Sequence, residues 1–248
     1  MNNTKPKLSQ KGRNLFIVCL GLLTIFLLVT LFRTSFHSVD AAVNLWIPSV
    51  RLRALTFFAD GIALIFDTTS LALISLVISG IMFLKNYRSK ALLLLGAISG
   101  DALIVSVIKA LDHVPRPTNG ILLDTGFSYP SGHSAGCIVF GGVLAYFAWR
   151  HWQSTRSRTL LGAGMGVMAG VVGFDRVYLG VHWLSDVFGG WLFGAFWLSF
   201  VILVFRQLER AGKFESDRFN VIAKWLYVTA VLVAVFVVLL GLLGNFLP

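Results

Sequence analysis

Long apolar runs constrain the fold of this chain more than any other feature of its sequence. A helix needs about 20 mostly apolar residues to cross a hydrocarbon core about 30 Å thick. Runs of this length recur along the chain, and 56% of its 248 residues are hydrophobic, more than in a typical soluble domain. The sequence therefore predicts an all-α, polytopic membrane helix bundle. The predicted spans are 14–33, 68–85, 91–111, 133–149, 159–178, 183–205 and 224–246.

The basic residues lie in alternate connections between these spans. Lysines and arginines precede the first span and gather in 85–90, 150–158 and 206–224. Because basic connections stay in the cytoplasm, this pattern predicts a cytoplasmic N-terminus and a C-terminus on the outer side of the cell membrane. The formal net charge of +10 then reflects topology and anionic headgroups, with no nucleic-acid partner.

The connections are short, which predicts one integral membrane domain over 1–248. No small-x-small cleavage site follows Phe32, so the first span is expected to be a retained anchor. Residues 35–58 suit either an amphipathic segment in the outer interface or an ordinary structured loop. Asp67 is expected to cap the next helix and is given no catalytic role. A stripe of glycines through the fifth span is expected to allow close helix packing. It comprises Gly162, Gly164, Gly166, Gly170 and Gly173.

Three polar clusters lie at ends of spans that the predicted topology places on one membrane face. In the first, Lys109 and Arg116 are seven residues apart, which is two helical turns, and Pro117 follows. Ionisable groups within a span are costly and favour a functional interpretation. A lysine whose ammonium group reaches back to the interface is the alternative for Lys109.

The second cluster is Pro130-Ser131-Gly132-His133, which opens the fourth span. A helix start exposes unpaired N–H groups and the positive end of the helix dipole, so it favours an anion. Glycine lets a phosphate approach the backbone closely, and the Ser131 hydroxyl adds a donor. The alternative is a plain helix cap followed by a chance histidine.

The third cluster contains Arg176, His182 and Asp186. His182 and Asp186 are four residues apart and therefore share one helical face. The carboxylate can accept a hydrogen bond from one imidazole nitrogen and leave the other directed at a substrate. A polar pair that only satisfies itself at the end of a span is the alternative.

Together the clusters supply three cations, one helix start and two histidines, which suits a multiply charged oxyanion such as phosphate. Such groups stabilise the charge on transferring phosphoryl oxygens without a metal or other cofactor. The histidine beside a carboxylate, His182, can attack phosphorus. His133 can then protonate the departing oxygen and activate water.

The clusters resemble the three-part signature of the type 2 phosphatidic acid phosphatase (PAP2) superfamily. That signature is Lys, six residues, Arg-Pro; then Pro-Ser-Gly-His; then Ser-Arg, five residues, His, three residues, Asp. The resemblance covers roughly 35–205 and implies a six-helix core, with 14–33 as an anchor and 224–246 as an extra C-terminal helix. It also implies a phosphatase acting on lipid phosphates or diphosphates, with membrane lipids as partners. Carried over by position, the catalytic residues are His182, His133 and Asp186, and the phosphate-binding residues are Lys109, Arg116, Ser131, Gly132 and Arg176.

One position departs from that signature, because Asp175 stands where the pattern has serine. A carboxylate there loses a hydroxyl donor and adds negative charge near an anion. Asp175 is expected to pair with Arg116 or Lys109, or to point away. On this interpretation the change Asp175→Ser should retain or raise activity.

Several alternatives remain open on the sequence alone. Undecaprenyl diphosphate, phosphatidylglycerophosphate and phosphatidate are not distinguished as substrates, since the motifs contact phosphate and not the tail. A lipid-binding or transport protein, an inactive relative and a phosphotransferase are further alternatives. A metal hydrolase would use His113, His133, His182, Asp112 and Asp124, although the nearby cations oppose metal binding. The sequence does not define an oligomeric state.

Overall fold

The computed structural model describes residues 9–122 and 124–214, and within them the chain forms eight α-helices and no strands. The predicted helix 224–246 lies outside the described residues. The all-helical membrane bundle is confirmed. The helices are α1 Gln10–Leu31, α2 His37–Trp46, α3 Arg53–Ile65, α4 Thr68–Leu84, α5 Arg88–Asp112, α6 Gly132–His151, α7 Thr155–Tyr178 and α8 Leu184–Arg210.

Local sequence explains where several of these helices begin and end. Asp67 caps α4, since its Oδ2 accepts from the Thr69 N–H at 2.8 Å, which confirms the expected cap. Ser154 caps α7 in the same way through the Ser157 N–H at 3.5 Å. Helix α5 ends at Asp112, and His113 after it has the left-handed φ of 52°. Pro115 follows and cannot continue the helix.

Five of the described helices, α1, α5, α6, α7 and α8, are each long and apolar enough to cross a membrane. A sixth crossing requires α3 and α4 together, and these two are bent by 53° at their junction. The predicted span 68–85 corresponds to α4 alone, which has 17 residues. The break falls at Phe66 and Asp67, where the Asp67 carboxylate binds the backbone that would otherwise continue the helix.

Residues 35–58 are mostly helical and do not form an ordinary loop. They contain α2 and the first part of α3, with short 3-10 turns at Arg33–Phe36 and Ile47–Val50. Asp40 of α2 is buried and hydrogen-bonded to Ser185 at the start of α8. This stretch is therefore a structural support for α8.

Helices α6 and α8 cross so closely that their backbones touch. A Cβ atom on Gly190 of α8 would lie 2.5 Å from the Ser131 carbonyl oxygen, and one on Gly194 would lie 2.7 Å from the Ala135 carbonyl oxygen. Only glycine leaves room for these approaches. The Ser131 N–H donates to the Asp186 carbonyl at 3.0 Å, so the two helices also start side by side.

Within the described residues, most of the glycine stripe of α7 does not have the packing role expected from the sequence. Among the described atoms, none lies within 4 Å of a Cβ placed on Gly162, Gly164, Gly166 or Gly170. Of the five, Gly173 is tightly packed, with Val187 Cγ1 at 2.7 Å from such a Cβ. The first four glycines lie on a part of α7 that no described helix covers.

The closely packed Gly190 of α8 and the exposed Gly166 of α7 should respond oppositely to an added methyl group. We expect Gly190→Ala to lower the free energy of unfolding by about 1–3 kcal/mol, since the backbone of α6 has to move. Gly166→Ala should be neutral or stabilising by up to about 1 kcal/mol, since alanine is the better helix former. Thermal unfolding of both variants in the same detergent compares them. Equal losses would contradict the close α6–α8 crossing.

Candidate active site

The three polar clusters meet at one end of the bundle, around a cavity of about 850 Å³. The end of α5, the start of α6, the end of α7 and the loop before α8 form its walls. Ser131 and Asp186 are fully buried and lie behind the surface of the cavity. The predicted site residues that line it are Lys109, Arg116, Gly132, His133, Arg176 and His182.

His182 is oriented from both sides of its ring. Its Nδ1 lies 3.3 Å from Asp186 Oδ2, and its Nε2 lies 3.4 Å from Arg116 Nη1. A guanidinium can only donate and a carboxylate can only accept, so this geometry assigns the proton to Nδ1 and a lone pair to Nε2. The unprotonated nitrogen is the one beside the cavity arginine.

Burial lowers the pKa of His182 well below its usual value, and the nearby charges of Lys109, Arg116 and Arg176 lower it further. The imidazole is therefore neutral near pH 7. A neutral ring keeps the Nε2 lone pair available, which a nucleophile requires.

Asp186 is itself held by the first turn of α8. Its Oδ2 accepts from the Trp183 N–H at 2.8 Å, in addition to its contact with His182. Asp40 of α2 fixes the same turn from outside, because it accepts from the Ser185 N–H at 2.9 Å and the Ser185 hydroxyl at 2.6 Å. Asp40 was not predicted from the sequence. A lone acid in the otherwise apolar stretch 39–43 was the available signal.

The start of α6 presents free backbone donors to the cavity. The N–H groups of Gly132 and His133 have no acceptor among the described residues, and both residues line the cavity. Ser131 caps the helix through the Ser134 N–H at 3.4 Å, and its hydroxyl does not reach the cavity surface. A Cβ on Gly132 would meet only ordinary contacts, at 3.6 Å or more. Protein packing therefore does not require glycine here.

His133 contacts the break between α3 and α4. Its Nε2 lies 3.2 Å from the Ala63 carbonyl oxygen, which is free because it belongs to the last turn of α3. Asp67 Oδ1 lies 4.0 Å from the same nitrogen. The sequence analysis recognised Asp67 only as a cap, because a contact across 66 residues leaves no signal in one sequence.

Two of the cavity cations bind the loop between α5 and α6. Lys109 Nζ donates to the Phe127 carbonyl at 2.7 Å. Arg116 Nη1 donates to the Val181 carbonyl at 2.8 Å and pairs with Asp124 Oδ2 at 2.9 Å. Carbonyl and carboxylate oxygens thus occupy donors that an oxyanion would use.

The third cation, Arg176, is paired with its neighbour Asp175. Arg176 Nε donates to Asp175 Oδ2 at 2.8 Å, and Arg176 Nη2 contacts the same oxygen. Both side chains are almost completely buried. Asp175 therefore pairs with neither Arg116 nor Lys109, and the expectation of such a pair or of a side chain that points away is wrong, because the adjacent guanidinium is nearer.

The alternative metal site is not assembled. Among the residues that the structure describes, no three histidine, cysteine, aspartate or glutamate side chains form a group that could hold a metal ion. His113 instead packs edge-on against Phe127, with ring centroids 4.5 Å apart.

Comparison with known proteins gives concordant matches. The model of the PAP2 superfamily matches residues 90–210. Phosphatidylglycerophosphatase B of Bacillus subtilis is 30% identical over 179 residues, which cover 71% of this chain and 88% of that protein. An undecaprenyl-diphosphatase of Sulfolobus acidocaldarius is 34% identical over 102 residues, covering 41% of this chain and 40% of that protein.

A solved structure also matches the fold. It is the crystal structure of a transmembrane PAP2-type phosphatidylglycerolphosphate phosphatase from Bacillus subtilis, with a TM-score of 0.69 and 28% sequence identity. The match covers 74% of this chain and 94% of that one.

The lowered pKa of His182 predicts a pH dependence of stability. Below about pH 6.5 the unfolded chain binds a proton at this ring and the folded chain does not, so the free energy of unfolding should fall as pH decreases. The contribution is at most about 1.4 kcal/mol per pH unit. His182→Gln should remove it, which thermal unfolding between pH 7 and pH 5 would measure.

The exposed His151 supplies the control, since His151→Gln also removes one imidazole. An unchanged pH slope in His182→Gln would show that this ring is protonated in the folded protein.

Proposed function

Because the chain belongs to the PAP2 superfamily, we propose that it hydrolyses a phosphomonoester or diphosphate of a membrane lipid through a phosphohistidine intermediate. The observation that carries the proposal is the orientation of His182, whose unprotonated Nε2 faces Arg116 while Asp186 holds Nδ1. The names of the relatives in Bacillus and Sulfolobus support phosphatidylglycerophosphate and undecaprenyl diphosphate as candidate substrates. Phosphatidate is a third.

The phosphate would bind at the start of α6. The free N–H groups of Gly132 and His133, with the charges of Lys109, Arg116 and Arg176, supply donors for its oxygens. Ser131 supports this cradle as the cap of α6. Apolar side chains also line the cavity, among them Leu64, which is 71% exposed. They give a lipid tail an apolar route out of the site.

In the first step, His182 Nε2 attacks phosphorus and the bond from phosphorus to the lipid oxygen breaks. Asp186 stabilises the charge that develops on the ring by accepting from Nδ1–H. His133, in its protonated form, donates a proton to the departing oxygen. The Ala63 carbonyl oxygen, 3.2 Å from His133 Nε2, holds the ring in its orientation beside the cavity.

In the second step, water attacks the phosphohistidine. His133, now neutral, accepts a proton from the water, the bond between nitrogen and phosphorus breaks, and inorganic phosphate leaves. The three cations stabilise the phosphoryl oxygens in both steps, so the proposed reaction needs no metal or other cofactor.

We place the protein in the cell membrane, with its N-terminus in the cytoplasm and the active site on the outer side. The support is the distribution of basic residues. The end of the bundle opposite the cavity carries a dense group of arginines around Arg150, Arg158 and Arg206.

Phosphate release tests the proposal directly. The purified wild-type protein should release phosphate from at least one of undecaprenyl diphosphate, phosphatidylglycerophosphate and phosphatidate, also with excess chelator. His182→Ala should lower the rate by about 10³-fold or more, because it removes the nucleophile, and Asp186→Asn by about 10²–10⁴-fold. The stability of the trapped phosphate adduct in acid and in base should identify the modified residue as histidine and not serine or aspartate. We expect the wild-type adduct to be stable in base and labile in acid.

His151→Ala is the control for this assay, since His151 lies at the opposite end of α6. Wild-type protein that releases no phosphate from any of these lipids, or His182→Ala with wild-type turnover, would favour the binding, transport or inactive alternatives.

The pair of Asp175 with Arg176 makes a second prediction. Asp175→Ser leaves the Arg176 guanidinium buried without its carboxylate, and removing one partner of a buried pair costs about 3–5 kcal/mol. Inorganic phosphate can replace the lost carboxylate. We therefore expect the variant to retain turnover and to melt at a lower temperature than wild type. Added phosphate should raise its melting temperature by more than it raises that of wild type.

Thermal unfolding with and without phosphate measures this effect. Asp67→Ser is a suitable control, because Asp67 also lines the cavity but caps α4 and does not pair with Arg176. If phosphate raised the melting temperature of wild type and Asp175→Ser equally, Arg176 would not be directed at the anion.

A further inference from the structure

A second basic cavity, of about 440 Å³, lies at the end of the bundle opposite the active site. Helix α6 has 20 residues and so separates the two cavities by about 30 Å, since it begins at Gly132 and reaches Arg150 and His151 at its other end. The walls come from α1, α6, α7 and α8. The lining residues are Lys11, Tyr146, Trp149, Arg150, Arg158, Arg206, Glu209 and Arg210.

Two of its arginines are fixed by other parts of the protein. Arg150 Nη1 donates to both carboxylate oxygens of Glu209, at 2.9 and 2.8 Å. Arg158 donates to the Trp152 carbonyl at 3.0 Å and the Trp149 carbonyl at 3.2 Å, and its guanidinium lies over the Trp149 ring. These contacts make a preformed wall.

The other three cations, Lys11, Arg206 and Arg210, have no ion pair or side-chain hydrogen bond within the described part of the chain. Five basic groups against the one carboxylate of Glu209 give the lining a net charge of +4. Like charges at this spacing repel each other, so an anion between them would be stabilising. Positive charge that served only to orient the protein in the membrane would not need to converge on one cavity.

The position of the cavity indicates which anion it receives. Trp149 and Trp152 lie beside it and are 50% and 42% exposed, as is usual for tryptophans at the level of lipid headgroups. Leu208 and Leu160, on the neighbouring helices, are 41% and 63% exposed and continue into the apolar surface. A ligand with a phosphate at the cavity and acyl chains along this surface fits both features.

We propose that this second cavity binds the phosphate headgroup of an anionic phospholipid from the membrane leaflet opposite the active site. Arg206, Arg210 and Lys11 contact the phosphate, while the pairs of Arg150 with Glu209 and of Arg158 with Trp149 hold the walls. The bound lipid is a structural ligand, which this cavity holds without hydrolysing it. This inference does not depend on the phosphatase activity.

Native mass spectrometry of the full chain in detergent, titrated with phosphatidylglycerol, tests the proposal. The double variant Arg206→Gln/Arg210→Gln should have a Kd for the lipid that is raised roughly tenfold or more. The reason is that each basic group near an anionic headgroup adds to the electrostatic free energy of binding. Any phosphatidylglycerol in the active-site cavity is common to both proteins and cancels from the comparison. An unchanged melting temperature of the lipid-free protein would show that the variant is folded.

Arg156→Gln is the matched control. Arg156 is an exposed arginine in the first turn of α7, at the same end of the bundle, but it does not line the cavity. This control should bind phosphatidylglycerol as wild type does. A loss as large as that of the double variant would overturn the proposal in favour of diffuse surface charge. An unchanged Kd in the double variant would overturn it outright.

Two further titrations separate the possible sources of the phosphate. Phosphatidylcholine should bind to wild type and to the double variant equally weakly, which tests the requirement for negative charge. Inorganic phosphate at millimolar concentration should not displace the lipid. If it does, and binds wild type but not the double variant, the cavity takes free phosphate and the lipid assignment is wrong.

Discussion

The side-by-side start of α6 and α8 is the contact on which the site depends. The Ser131 N–H donates to the Asp186 carbonyl, and Gly190 lies against the Ser131 carbonyl, so the two first turns form one rigid unit. One turn carries the free N–H groups of Gly132 and His133, and the other carries the carboxylate that orients His182. A shift of either helix would separate these free N–H groups from His182.

The cavity satisfies its cations with its own oxygens. Lys109 binds a backbone carbonyl, Arg116 binds a carbonyl and Asp124, and Arg176 binds Asp175. Arg176 is buried and Lys109 and Arg116 are partly buried, so these cations would be destabilising without partners. A phosphate bound here would have to replace some of these oxygens, and the exposed Asp124 is easier to displace than the buried Asp175.

Much of this site follows from sequence because each motif sits at a helix end. Apolar runs locate the ends, and residues such as Lys109, His133 and His182 then fall at one end of the bundle. The contacts of Asp40 with Ser185 and of Asp67 with His133 could not be predicted, since these partners lie 145 and 66 residues away along the chain. Periodicity also failed for α7, because a glycine stripe defines a face of a helix but not what packs against that face.

The two basic cavities differ in the backbone groups that accompany their cations. At the start of α6 the free N–H groups add positive potential, so an oxyanion meets donors from both backbone and side chains. At the far end of α6 the carbonyls of the last turn face the cations, and Arg158 is partly neutralised by the Trp149 and Trp152 carbonyls. The lining of the active-site cavity carries as many aspartates as cations, whereas the lining of the second cavity keeps a net charge of +4. Directional backbone donors suit an oxyanion that has to be held in one orientation, whereas side-chain charge suits a headgroup that only has to stay bound.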